Sequence, residues 1–167
     1  MKDTIVNWFK DLQSRICAGL EELDGSGAVF LHDDWVRAEG GGGKTNTFKE
    51  GNLLEKGGVA FSAVHGSLHP KIQQSLRVTV PDAQFLATGV SIVLHPTNPH
   101  MPIIHMNVRY FELSDGKWWF GGGIDVTPHY VVPADAKWFH EQLKGICDKH
   151  HPSYYERFKK WADDYFY

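Results

Sequence analysis

Cysteine is nearly absent from this chain. The two present, Cys17 and Cys147, are far apart and in no CxxC spacing, which excludes a disulfide-framed secreted scaffold and a thiolate zinc knuckle. Runs of lysine or arginine are missing too, and the net charge is −3, so nothing offers a basic track to nucleic acid. No apolar run approaches the roughly 20 residues of a membrane span. The opening MKDTIVNWFKDLQS has no uninterrupted apolar stretch of the secretory type, and a reduced, cytoplasmic setting fits these features together. Internal repeats and low-complexity linkers are also missing, as is any short zinc signature such as HExxH. The glycine run Gly40–Gly43 lacks the Gly-to-Lys-Ser/Thr spacing of a phosphate-binding loop and reads as a loop.

What is present is a strongly patterned chain of 167 residues, long enough to bury one core, and it is read as a single domain over 1–167. Ile5, Phe9, Leu12, Ile16 and Leu20 recur at helical spacing and predict a helix over 4–23 that ends at Asp24-Gly25. Strands are predicted at 28–31, 55–65, 71–81, 89–95, 104–113 and 117–126. Beyond Pro128 the period changes, predicting helices from Pro133 to near His150 and over 154–165, the latter with Tyr154, Phe158, Trp161 and Tyr165 as a packing stripe. Strands first and helices after predict an α+β fold, an antiparallel sheet flanked by helices.

The most informative stretch is Met101–Pro128, MPIIHMNVRYFELSDGKWWFGGGIDVTP. Two strand-like halves joined by Ser114-Asp115-Gly116 read as a β-hairpin. In the first half Ile104, Met106, Val108 and Tyr110 share one face, and His105, Asn107 and Arg109 the other. One face suits a core. The other offers an imidazole, an amide and a guanidinium, able to move protons and clasp a carboxylate. With a two-residue Asp115-Gly116 turn, Asp125 would pair with Met106 and be buried alone. A bulge within Gly121–Gly123 is therefore predicted, moving Asp125 opposite His105. Val90, Ile92 and Leu94 form a core face on the preceding strand; with only the short PTNPHMP connector between the strands, Ser91 and His95 are predicted to join the His105 face.

Ten histidines are many for this length. His95, His105 and His140 are candidates for a three-histidine divalent-metal site with an open position, which makes a metal-dependent hydrolase or oxygenase one reading of the residues. A ligand-binding module using the Arg109 face without turnover is another.

HMNVRYFE, WWFGGGIDVTP and LKGICDKHHPSYYERFKKWADDYF, with EGGGGK near Glu39 and EKGGVAFSAVHG from Glu55, resemble the oxygen-dependent coproporphyrinogen III oxidases of haem biosynthesis over nearly the whole chain. The resemblance implies oxidative decarboxylation of two propionates of coproporphyrinogen III to vinyl groups, giving protoporphyrinogen IX. Molecular oxygen is the co-substrate, no organic cofactor is needed, and a divalent metal on His95, His105 and His140 is a possibility the family carries. The resemblance also implies His105 and Asp125 as catalytic residues, Ser91, Asn107, Val108 and Arg109 as substrate-binding residues, a mobile glycine-rich segment near the substrate, and a homodimer. The family continues past the point matching Tyr167 with further strands and an acid–arginine pair, so a fragment that binds a tetrapyrrole without turning it over is the alternative.

Overall fold

The computed structural model describes residues 1–166. The chain divides into two compact units, Met1–His129 and Tyr130–Tyr167, each taken separately below.

The first unit is one helix and a six-stranded antiparallel sheet whose strands lie side by side in chain order. Helix α1 spans Lys2–Asp24. The strands are β1 Leu31–Val36, β2 Gly41–Lys49, β3 Leu54–Ser67, β4 Gln84–Pro96, β5 Ile103–Leu113 and β6 Trp118–Thr127. The apolar stripe of α1 lies on one sheet face, where Phe9 and Cys17 join Phe48, Val59, Phe61, Val90, Ile92 and Tyr110 in the core. Each large apolar side chain buried there contributes about 1.5–3 kcal/mol. Gln13 is the polar exception: its buried amide donates to the carbonyls of Lys44 (2.9 Å) and Val59 (2.8 Å), pinning α1 to β2 and β3.

Two polar ties fix the ends of α1. Lys2 pairs with Glu112 at 2.8 Å, and the buried Tyr110 hydroxyl donates to Glu112 at 2.8 Å. The Lys2 ammonium holds the Glu112 carboxyl below its ordinary range. Burial, reinforced by Glu112, pushes the Tyr110 phenol up to about 12. At the other end Gly25 closes the helix in the left-handed conformation (φ 62°), while the Asp24 carboxylate accepts amide hydrogens from Ser26, Asn52, Leu53 and Leu54. Hydrogen bonding from Ser26 first, then from those loop amides, holds Asp24 well below the usual carboxylate range.

The glycine run is strand rather than loop, since β2 begins at Gly41. The β1–β2 turn closes through Arg37 N to Gly41 O and Gly40 N to Arg37 O, both 3.0 Å. A side chain at Gly41 would stand 2.2 Å from the Ala63 carbonyl oxygen, so the close approach of strand backbones explains the glycine.

Residues 71–81 are not a strand. Helix α2, Pro70–Ser75, starts with Pro70 in its first turn and His69 as N-cap, whose Nδ1 accepts from Lys71 N. The Leu76 and Val78 alternation serves a turn: both pack in a second small core with Leu68, Ala83 and Leu113. The predicted strand at 28–31 lies instead at β1, displaced toward Val36.

The second unit is a helix pair, α3 Pro133–Asp148 and α4 Tyr154–Phe166. The Tyr155 hydroxyl meets His140 Nδ1 at 3.1 Å across the pair. The stripe of α4 is only partly packed within this unit: Tyr154 and Phe158 stack at 5.1 Å beneath the Arg157 guanidinium, while Trp161 is exposed.

Candidate active site

The register of β3 to β6 brings most of the predicted site residues onto the sheet face opposite α1. Ser91 pairs with Asn107 and Gly89 with Arg109 on β4–β5, while His105 pairs with Asp125, Asn107 with Gly123 and Arg109 with Gly121 on β5–β6. Paired residues of an antiparallel ladder point to one face, so Ser91, His95, His105, Asn107, Arg109 and Asp125 share it. Val108 does not. Its side chain faces α1, packed against the main core, and only its backbone reaches the polar row. Period two decides this, since Val108 alternates with both of its polar neighbours.

Asp125 stands opposite His105, but no bulge in the glycines puts it there. The ladder runs unbroken through Gly121, Gly122 and Gly123. The extra residue sits in the turn instead: Leu113 N donates to Lys117 O at 2.8 Å and Gly116 N to Leu113 O at 3.0 Å, with Gly116 at φ 88°. Ser114-Asp115-Gly116 is thus a three-residue loop with a left-handed glycine, the other common hairpin closure. Lys117 N donates to Asp115 Oδ1 at 3.1 Å and secures it. One loop residue shifts the whole of β6 by one position, which moves Asp125 to the polar face.

The resulting contact is specific. His105 Nδ1 lies 2.9 Å from Asp125 Oδ2, both side chains being partly exposed. A carboxylate at Nδ1 orients the imidazole and, in the neutral ring, suits the tautomer that carries its proton on Nδ1 and presents Nε2 as an acceptor. It also keeps its second oxygen open. Arg109, exposed four positions along β5 from His105, has no ion pair among the described residues, and the bare Gly89 opposite gives its stem room, with Arg109 Cγ only 3.1 Å from where a Cβ would be.

The surroundings were not foreseen. Behind the polar row the face is almost without side-chain bulk: Gly43, Ser62 and Gly89 lie in register with Arg109, and Thr45, Ala60 and Ser91 with Asn107. Trp35 lies across Gly43, whose missing Cβ would be 2.6 Å from the indole. At one end Phe85, Phe111 and Trp119 stack, with ring centroids 5.7 and 4.8 Å apart and planes 4° and 27° from parallel. The result is a floor poor in side-chain bulk, bordered by aromatic rings at one end and by Arg109 along β5. Extending the alternation of Arg109 to Phe111, and of Asp125 back to Trp119, would have found the aromatic border. The floor itself needs the register, which only the turn sets.

His95 and His105 are diagonal neighbours on this face, about 7–8 Å apart by the usual spacing of such pairs. His140 belongs to the helix pair. Among the described residues no three His, Cys, Asp or Glu side chains gather as a potential metal site. Among the described residues no helix is long and apolar enough to cross a membrane.

A family profile described as coproporphyrinogen III oxidase matches residues 4–167. The chain is 48% identical over 166 residues to a protein of Drosophila melanogaster named oxygen-dependent coproporphyrinogen-III oxidase, covering 93% of this chain and 43% of that one. A protein of the same name from Synechococcus sp. (strain CC9605) is 48% identical over 156 residues, with 93% and 42% covered. The chain therefore spans less than half the length of these curated relatives.

Proposed function

The chain belongs to the coproporphyrinogen III oxidase family, and from that premise we propose that its open sheet face binds coproporphyrinogen III and carries the oxygen-dependent conversion of two propionates to vinyl groups. The observation behind this is the pairing of a side-chain-poor floor with Arg109, Asn107 and the His105–Asp125 pair along one side. A broad apolar ring bearing carboxylates needs such a surface: room for the ring, and cationic or amide donors at its rim.

Arg109 clasps a propionate carboxylate, and Asn107 and Ser91 supply orienting hydrogen bonds. The open oxygen of Asp125 accepts from pyrrole N–H groups, raising electron density in the ring. His105 Nε2 is the acceptor for the proton that leaves the propionate side chain. For each propionate, carbon dioxide departs and the β-carbon loses a hydrogen. The two electrons released reduce oxygen, which takes up two protons as hydrogen peroxide.

No step is routed through a metal. A cation on His95 would stand beside Lys56, which pairs with it across β3–β4, and an ammonium neighbour disfavours a second positive charge. The His105–Asp125 contact alone would suit a metal-bound imidazole, but it serves proton transfer equally well. A homodimer and a cytoplasmic setting, with Cys17 and Cys147 as free thiols, complete the proposal.

The test is incubation of the chain with coproporphyrinogen III in air and under nitrogen, with products oxidised to fluorescent porphyrins and separated. Protoporphyrin formed only in air is the expected result for a self-sufficient site. Bound porphyrin without product would instead favour a substrate-binding portion that needs the rest of the family's length. The absence of both binding and product would refute the proposal.

A further inference from the structure

Arg109 answers for only one side of the floor. At the opposite corner of the same face, Lys49 on β2 pairs directly with Lys56 on β3, and Lys56 pairs with His95 on β4. Three basic groups thus stand side by side on adjacent strands. Like charges directly opposite one another destabilise a sheet, and no ion pair among the described residues relieves either lysine. The nearest carboxylates along the chain, Glu50 and Glu55, occupy the turn, where Glu50 N donates to Glu55 O at 2.9 Å. Glu50 lies past the end of β2 with φ 60°, Glu55 stands where β3 slips in register against β4, and neither pairs with Lys49 or Lys56 among the described residues.

His95 lies six positions along β4 from Gly89, the partner of Arg109, which is roughly 20 Å along the strand. Long side chains leaning inward from both ends shorten that to the span of a tetrapyrrole with its propionates. Between them lie the bare positions of Gly58, Ala60 and Ser62.

We propose that Lys49, Lys56 and His95 form a second carboxylate subsite on the open face, holding the propionates at the end of the ring remote from Arg109. This rests on the reading of that face as the tetrapyrrole site. A carboxylate between the lysines removes their mutual repulsion, so the row is arranged for an anion. A tetracarboxylate engages both ends of the floor at once, whereas a ring with two carboxylates on one edge engages only one.

Titration of the chain with the air-stable porphyrins coproporphyrin III (four carboxylates) and protoporphyrin IX (two), followed by fluorescence, tests this. The wild-type chain is expected to prefer coproporphyrin by about tenfold. Lys49→Gln/Lys56→Gln should abolish that preference while leaving protoporphyrin affinity unchanged, and Arg109→Gln should weaken both ligands. Both lysines are exposed, and the double variant is expected to melt no lower than wild type. If wild type binds coproporphyrin and the double variant matches it, the subsite is refuted while the site reading stands. Equal weakening toward both ligands would also refute it, as a general charge effect. No porphyrin binding by wild type would overturn the site reading, and the subsite with it.

Discussion

Gly122 and Gly123 are neighbours in the same strand, and their substitution should have opposite consequences. Gly122 has φ 159°, and a Cβ there would stand 2.3 Å from the Asn107 carbonyl oxygen, a backbone atom that cannot step aside. Alanine must either push β5 and β6 apart or leave the extended conformation, at a cost of about 2–4 kcal/mol. A Cβ on Gly123 meets nothing within 4 Å. Alanine there should instead add about 0.5–1 kcal/mol by restricting the unfolded chain. Gly123 pairs with Asn107 next to the His105–Asp125 contact, so Gly123→Val, with a side chain suited to strands, should keep the fold while standing on the floor. Urea unfolding should show a lowered midpoint for Gly122→Ala and an unchanged or raised one for Gly123→Ala, with similar slopes. In coproporphyrin titration Gly123→Val should lose at least tenfold in affinity. The reasoning fails if both alanine variants are equally destabilised, or if Gly123→Val binds like wild type.

Arg109→Gln should reduce coproporphyrin affinity by about 10–100-fold, the worth of a charge-assisted hydrogen bond, with no shift in melting temperature. Asp24→Asn should be less stable than wild type at neutral pH. Because the folded carboxyl titrates lower than the unfolded one, this contribution is complete above the unfolded value of about 3.9. It fades as pH falls toward the folded value, so unfolding curves of the two proteins from pH 7 to pH 3 should converge in acid, and a constant gap would contradict the assignment. Gln13→Leu should destabilise by about 1–2 kcal/mol in urea, since two buried carbonyls lose a donor. Tyr110→Phe should cost about 1 kcal/mol, because Glu112 keeps its Lys2 partner.

Much of this architecture is legible in the pattern of side chains. The stripe of α1, the two faces of β4 and β5 and the hairpin at Ser114–Gly116 follow from periods of 3.6 and 2, because in each the alternation coincides with burial. Legibility fails where a local choice outweighs alternation. At His69-Pro70 a cap and a first-turn proline make helix of a stretch whose apolar residues alternate. At Gly41–Gly43 a composition typical of loops is strand, because crossing backbones leave no room for Cβ. The position of Asp125 was expected for the wrong reason: the one-residue shift lies in the turn, which two- and three-residue closures of Asp-Gly make equally available. Trp35 and the Phe85–Phe111–Trp119 stack carry no motif, and they border the site only through cross-strand register.

The strict chain order of the six strands has a kinetic consequence. Every strand pairs with the one made just before it, so each can zip onto the last through a local connection, short everywhere except between β3 and β4, where α2 intervenes, and such local pairing favours fast folding. Ser91, Asn107, Arg109, His105 and Asp125 all lie on the last three strands of this series. On an emerging chain the bare positions of β2 and β3 are therefore laid down first, and the His105–Asp125 contact is completed only when β6 docks onto β5.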